Sequence, residues 1–250
     1  MFDIPTREAT LIELRRRLAE TAPVVAVEPS VLPVPDALAG LLPGGGLPKG
    51  GIISLVVDDD DQAGAGTTSL LFSLLAGPTK PWSALVGLPD LGMQAAAELG
   101  VDLARVVLIP NPGVDLLQVL SVLADGVDLI AVASYHGPLA SPARLRVLSA
   151  RLKQRGTVLV AMGDWAGADL TLSVSVAAWG GLGTGHGRLR DRELVVRLRG
   201  RRAQGQFREV RILLRSEGVE GNGRVHITSA GLVPAVAQLR GAPYIASRTG

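Results

Sequence analysis

Gly64, Gly66, Thr67 and Thr68, placed directly after the apolar run Ile52 to Val57, have the types and spacing of a phosphate-binding loop. The working pattern is G-x-x-x-x-G-K-[ST], in which backbone N–H groups wrap the phosphates, the lysine neutralises the outer ones and the hydroxyl holds Mg²⁺. With Gly66 as the second glycine, the first falls on Asp61, the lysine on Thr67 and the hydroxyl on Thr68. The cation is therefore missing, and four consecutive carboxylates, Asp58 to Asp61, stand where an anion would sit. At an effective dielectric near 20, each carboxylate ~6 Å from a phosphate charge repels it by about 3 kcal/mol before screening. The loop reads as a vestige, with no nucleotide and no other cofactor expected.

The acidic run reads as a solvated loop in preference to a metal site. Mg²⁺ takes one or two carboxylates together with a phosphate, and Ca²⁺ needs oxygens converging at defined spacing. His136, His186 and His226 are far apart, and cysteine is absent, so no zinc-ligand spacing exists. Ser134, Tyr135 and His136 lack the strained turn that would expose a nucleophile. No metal site and no catalytic residue are assigned.

The second group with chemistry is cationic. Between His186 and Ser216 ten arginines face only Asp191, Glu193 and Glu209, a local excess of seven positive charges in a chain whose net charge is +2. The pattern there has a period of two. Leu194, Val196 and Leu198 share one side with Val210, Ile212 and Leu214, and Arg197, Arg199, Arg211 and Arg215 share the other. This predicts a hairpin with a core face and an arginine face, turning between Gly200 and Gly205 and carrying Arg201 and Arg202. Such a face suits an acidic protein partner, with direct contact to DNA phosphates as a second reading. Aromatics make up 3% of the chain and only Phe207 lies in this segment, which argues against a dedicated single-strand binder. Arg15, Arg16 and Arg17 form a smaller basic group beside Leu11, Leu14 and Leu18, on a helix expected from Arg7 to Thr21.

The elements that position these residues alternate as in an open α/β sheet. Strands are expected at Ile52 to Val57, Ser83 to Val86, Val106 to Ile109, Val127 to Ala133 and Thr157 to Met162. Helices are expected from about Thr67, at Met93 to Leu99, at Val114 to Ala124 and at Pro142 to Gln154. Pro23 to Pro35 reads as an extended connector, Gly180 to Gly187 as a glycine-rich loop, Arg224 to Thr228 as a short strand, and the chain from Ser229 as a mobile tail. The expected organisation is an N-terminal helix and connector over 1–36, a core over 37–215 that includes the hairpin, and a C-terminal strand and tail over 216–250. At 250 residues and 47% hydrophobic the chain can bury a proper core. No run reaches about 18 apolar residues, and the first residues carry acids and lack an apolar signal core, so a cytoplasmic protein without membrane contact is expected.

Several segments together resemble the ATPase core of RecA-type recombinases: ALAGLLPGGGLPKGGIISL from Ala37, LGVDLARVVLIPNPG from Leu99, VDLIAVAS from Val127 and RLRVLSARLKQRGTVLVAMGDW from Arg144. The resemblance covers roughly residues 37 to 215. It implies a mostly parallel central sheet with a degenerate nucleotide site and a C-terminal antiparallel hairpin. It places the P-loop lysine on Thr67 and the water-activating glutamate on Leu88, or on Asp90 with a register slip of two. The Walker B aspartate falls on Ala133, followed by Ser134, and the γ-phosphate-sensing glutamine on Asp164. Losing cation, metal ligand and base together removes the means of phosphoryl transfer. The DNA-binding loops of the recombinases would have to fit within Tyr135 to Ser141 and Ala166 to Ala168, too short for a recombinase filament.

A degenerate RecA-like core with an Arg/Leu N-terminal helix and an arginine-rich hairpin resembles the actinobacterial ImuA-prime family of mutasome accessory proteins. That resemblance implies a non-catalytic adaptor in SOS-type, damage-induced translesion synthesis. Its implied partners are an ImuB-like Y-family polymerase homologue and an error-prone replicative-type polymerase, with nucleoid association on DNA damage. Two other readings stay open: a weak ATPase with residues supplied in trans or by Lys49, and a RecA-like cell-division inhibitor of the SulA type.

Overall fold

The computed structural model describes residues 30–58, 66–133, 142–182, 187–200, 208–217 and 224–233. Contacts divide the chain into Met1–Ser30 and Val31–Gly250, and the fold described is that of the second unit.

Two short strands, β1 (Val31–Pro33) and β2 (Gly46–Pro48), pair antiparallel around the helix α1 (Asp36–Ala39). Val31 to Pro33, within the stretch read as a connector, is thus a paired strand, and Leu32 and Val34 are buried in the core. The main sheet comprises β3 (Ile52–Val57), β4 (Ser83–Val86), β5 (Val106–Ile109), β6 (Leu129–Ala133), β7 (Val158–Met162), β8 (Leu170–Leu182), β9 (Gly187–Arg199), β10 (Arg208–Glu217) and β11 (Arg224–Val233). Their order is β11-β10-β9-β8-β3-β7-β6-β4-β5. From β8 to β5 neighbouring strands run parallel, and β8, β9, β10 and β11 pair antiparallel.

Helices α2 (Thr67–Leu75) and α3 (Met93–Glu98) lie on one face, where Leu70, Leu71, Phe72 and Ala96 pack on Ile53, Leu55, Leu85 and Val160. Helices α4 (Leu116–Leu123) and α5 (Pro142–Arg155) cover the other face, burying Leu120, Leu148 and Leu152 against Ile52, Val86, Ile130 and Leu159. Central strands sandwiched in this way need apolar residues on both faces, which is why IISLVV, LIAVA and VLVAM are nearly continuous apolar runs. Arg151 and Arg155 of α5 both hydrogen-bond Asp125, just past the end of α4, and so tie the two helices.

The mostly parallel sheet with antiparallel strands at its C-terminal side is the architecture the RecA-type resemblance implied. Strand β3, which precedes Gly66 and α2, is flanked by β7 and β8, and β6 lies one strand further out. The antiparallel extension is larger than a hairpin. Its first member, β8, covers residues 170 to 182, of which the sequence reading took the last three into a glycine-rich loop and assigned the rest to no element. Leu170, Leu172 and Val174 alternate toward the core with Thr171, Ser173 and Ser175 between them, so the signal was a period of two in small residues. The connection from β7 to β8 can be short because Trp165 N donates to the buried Ser54 Oγ at 3.0 Å and Ile52 N donates to Asp169 Oδ2 at 3.1 Å. The expected tail is corrected as well. Strand β11 runs on to Val233, beyond Ser229, because it pairs along the length of β10 from Glu217 to Glu209.

Candidate functional site

The carboxyl ends of β3, β4, β6 and β7 lie along one edge of the sheet, the edge at which open α/β sheets place their chemistry. Of the positions assigned by resemblance, Leu88 follows the end of β4 and Ala133 ends β6. A Cβ added at Gly87, just past β4, would lie 3.3 Å from Cβ of Ala133, the last residue of β6, so a glycine there leaves room for the Ala133 methyl. Leu88 packs against the main core, and Asp90 and Asp164 are exposed. Gly66 is buried with φ +119°, against Val174 and Leu194, and Thr67 and Thr68 open α2 half-buried. Asp61, Gly64 and Ser134 lie outside the described residues. Lys49 precedes β3 and packs beside Gly156 at the opposite end of that strand. Six residues of β-strand separate it from the P-loop position by about 20 Å, so Lys49 is not a substitute for the missing lysine.

Asp58 overturns part of the sequence reading. It is no member of a solvated loop: its N–H donates to Val174 O at 2.9 Å, extending the pairing of β3 with β8 by one residue, and only 5% of the residue is exposed. Its carboxylate accepts from Arg197 Nη1 and from Ser173 Oγ at 3.4 Å. Arg197 engages this carboxylate within the sheet, so Asp58 does not stand free against an anion in the way the sequence suggested. Asp59 and Asp60 lie outside the described residues.

The arginine face exists, but acids are built into it. Arg197 also donates through Nε to Glu209 Oε2 at 2.8 Å, across a directly opposed pair of β9 and β10. Burial opposes charge on this guanidinium, and hydrogen bonds to Glu209 and Asp58 outweigh it and raise its pKa. Arg215 opposes Asp191 and pairs with it at 3.2 Å, and Arg211 reaches Glu193 diagonally at 3.2 Å. Each of the three acids counted in the segment is therefore held by one arginine of the same sheet face. Arg197 belongs to the protein's interior rather than to a docking surface. Arg211 and Arg215 keep about half of their side chains exposed, and Arg199 is exposed at the end of β9. Arg15, Arg16, Arg17, Arg201 and Arg202 lie outside the described residues.

One cation escaped the sequence reading. Arg192 falls in register with Leu194, Val196 and Leu198, on the core side of β9. An arginine continuing an apolar alternation was the available signal. Its guanidinium lies 4.1 Å from the ring centroid of Trp179, and Nη1 donates to Ser69 Oγ at 2.6 Å in the first turn of α2. Among the described residues no cluster of three or more metal-ligating side chains occurs. No helix among them is long and apolar enough to cross a membrane.

The mostly parallel sheet with helices on both faces and an antiparallel C-terminal extension defines the class, a RecA-like α/β core. The chain belongs to the family described as the MT3502 N-terminal domain, which matches residues 40–167, just over half of its length. The matched region ends before β8, so the antiparallel extension lies outside it. A curated relative is the uncharacterized protein Rv3395c of Mycobacterium tuberculosis, 37% identical over 118 residues, which are 46% of this chain and 57% of the relative. The chain thus spans little more than half the length of that relative. Among solved structures, the KaiC-like protein PH0186 of Pyrococcus horikoshii aligns over 81% of this chain and 97% of its own, at 12% identity and a TM-score of 0.47.

Proposed function

We propose that this chain is a non-catalytic RecA-like adaptor of ImuA-prime type that acts in damage-induced mutagenic translesion synthesis. In this reading it docks an ImuB-like Y-family polymerase homologue and, through it, an error-prone replicative-type polymerase. The observation that supports the reading is that apolar Leu88 and Ala133 stand at the neighbouring ends of β4 and β6, and that a threonine, Thr67, opens α2 after β3. Phosphoryl transfer relies on cations and an oriented water, and these side chains supply neither. A scaffold kept without its reaction suits protein docking, and the exposed Arg199, Arg211 and Arg215 offer a cationic sheet face for an acidic partner.

Two measurements test the reading. Calorimetric titration with Mg-ATP, together with a turnover assay, is expected to give no saturable binding and no hydrolysis; saturable binding with turnover would establish the ATPase alternative. Co-purification is expected to recover the ImuB-like homologue in a salt-sensitive complex. Recovery of the division tubulin instead would move the assignment to a SulA-type inhibitor.

A further inference from the structure

A cavity of about 360 Å³ opens between α2, α3 and the antiparallel extension. Leu99, Leu214 and Val225 supply its apolar surface, and Trp179, with 47% of its area exposed, and Arg192 supply its aromatic and cationic wall. The volume lies at the low end for small-ligand sites. The charges in the lining are unequally satisfied. Asp191 is paired with Arg215 at 3.2 Å, and Glu98 accepts from the amide of Gln94 at 3.2 Å. Arg192 is half-buried, and among the described residues its partners are the Ser69 hydroxyl and the face of Trp179, with no carboxylate. Burial pulls its pKa below the ordinary arginine value.

We propose that this cavity binds a small monocarboxylate with a flat or branched apolar body. The carboxylate pairs with the Arg192 guanidinium, which Ser69 and Trp179 hold in place, and the apolar body lies against Trp179, Leu99 and Leu214. Glu98 adds a negative charge to the lining and so selects against dianions and polyphosphates. The site is therefore matched to a ligand other than a nucleotide, and it does not depend on the adaptor reading.

The test is calorimetric titration of the full chain with 3-phenylpropanoate up to about 10 mM, a range that covers the affinity available to so small a ligand. The neutral isostere 3-phenylpropanamide, Mg-ATP and the blocked peptide acetyl-Leu-Asp-Leu-amide are run beside it. Saturable binding of the acid is expected, at least about tenfold tighter than the amide and displaced by neither other compound. Arg192→Gln is expected to weaken the acid by about tenfold or more while keeping or raising the melting temperature. Trp179→Leu serves as a second variant and should also weaken the acid. Absence of saturation, equal affinity for acid and amide, or an unaffected Arg192→Gln would overturn the proposal. Preference for the blocked peptide over the free acid would overturn it too, reassigning the cavity to a protein partner.

Discussion

Arg197 lies across Asp58, joining residues 139 apart in sequence, with 17% and 4% of their side chains exposed. The contact binds the end of the P-loop-type strand β3 to the second strand of the antiparallel extension, with β8 between them. Glu209 adds a third charge on β10, so one guanidinium links β3, β9 and β10.

Removing Arg197 takes its guanidinium away from two buried carboxylates, Asp58 and Glu209. Arg197→Met is expected to cost about 3–5 kcal/mol, the usual effect of breaking a buried ionic cluster. Chemical denaturation measures it. A triple variant that also carries Asp58→Leu and Glu209→Leu should recover most of the loss. Glutamate at position 197 would be worse than methionine, because it adds a third negative charge to the cluster. Charge reversal of the arginine face is therefore informative about docking only if Arg197 is left in place.

Gly66 is a second position where function and stability must be kept apart. Its φ of +119° disfavours a side chain, and a Cβ would approach Val174 and Leu194 at 3.1 and 3.3 Å. Gly66→Ala should destabilise the protein by roughly 1–3 kcal/mol with or without Mg-ATP. An equal melting temperature for variant and wild type would show that the helix start tolerates the change. Thr67→Lys, which restores a cation without this strain, is the sounder variant for nucleotide titration.

The Asp125 clamp predicts a pH dependence. The hydrogen bond from Arg151, followed by the charges of Arg151 and Arg155, lowers the Asp125 pKa below its ordinary 3.8. A depressed carboxylate stabilises the fold fully above the unfolded-state value, and the stabilisation is lost as pH falls through the lower folded-state value. Wild type should accordingly lose more melting temperature than Asp125→Asn between neutral pH and a pH below 3.8. Parallel curves for the two proteins would remove the clamp's role.

Arg211 and Arg215 are the exposed counterparts of Arg197, with 45% and 57% of their side chains accessible. Alanine at either should change stability by under about 1 kcal/mol, since solvent screens such pairs. The double variant Arg211→Glu, Arg215→Glu should weaken binding of the ImuB-like protein proposed above by about tenfold at low salt, with a smaller effect at high salt. Unchanged affinity would show that this face does not dock it.

The sequence by itself determined the alternation of elements, the P-loop-like spacing that ends in threonine, and the period of two that sets Arg197 opposite Val196 and Leu198. These are local facts, carried by side-chain periodicity and residue type. The strand β8 was legible in the same way, through Leu170, Leu172 and Val174, but its intervening serines and threonine made the pattern quieter. Only the tertiary structure decided what the charges do. Asp58 looked like repulsion at a phosphate site until β9 brought Arg197 onto it, and a surplus of arginines became a ladder once β9 and β10 were in register. Arg192 shows the reverse. It looked like one arginine among ten, and folding half-buried it beside Trp179, where among the described residues no carboxylate pairs with it. The physical reason is the same in each case: a charge acts through its nearest partner and its exposure to water, and long-range strand pairing sets both.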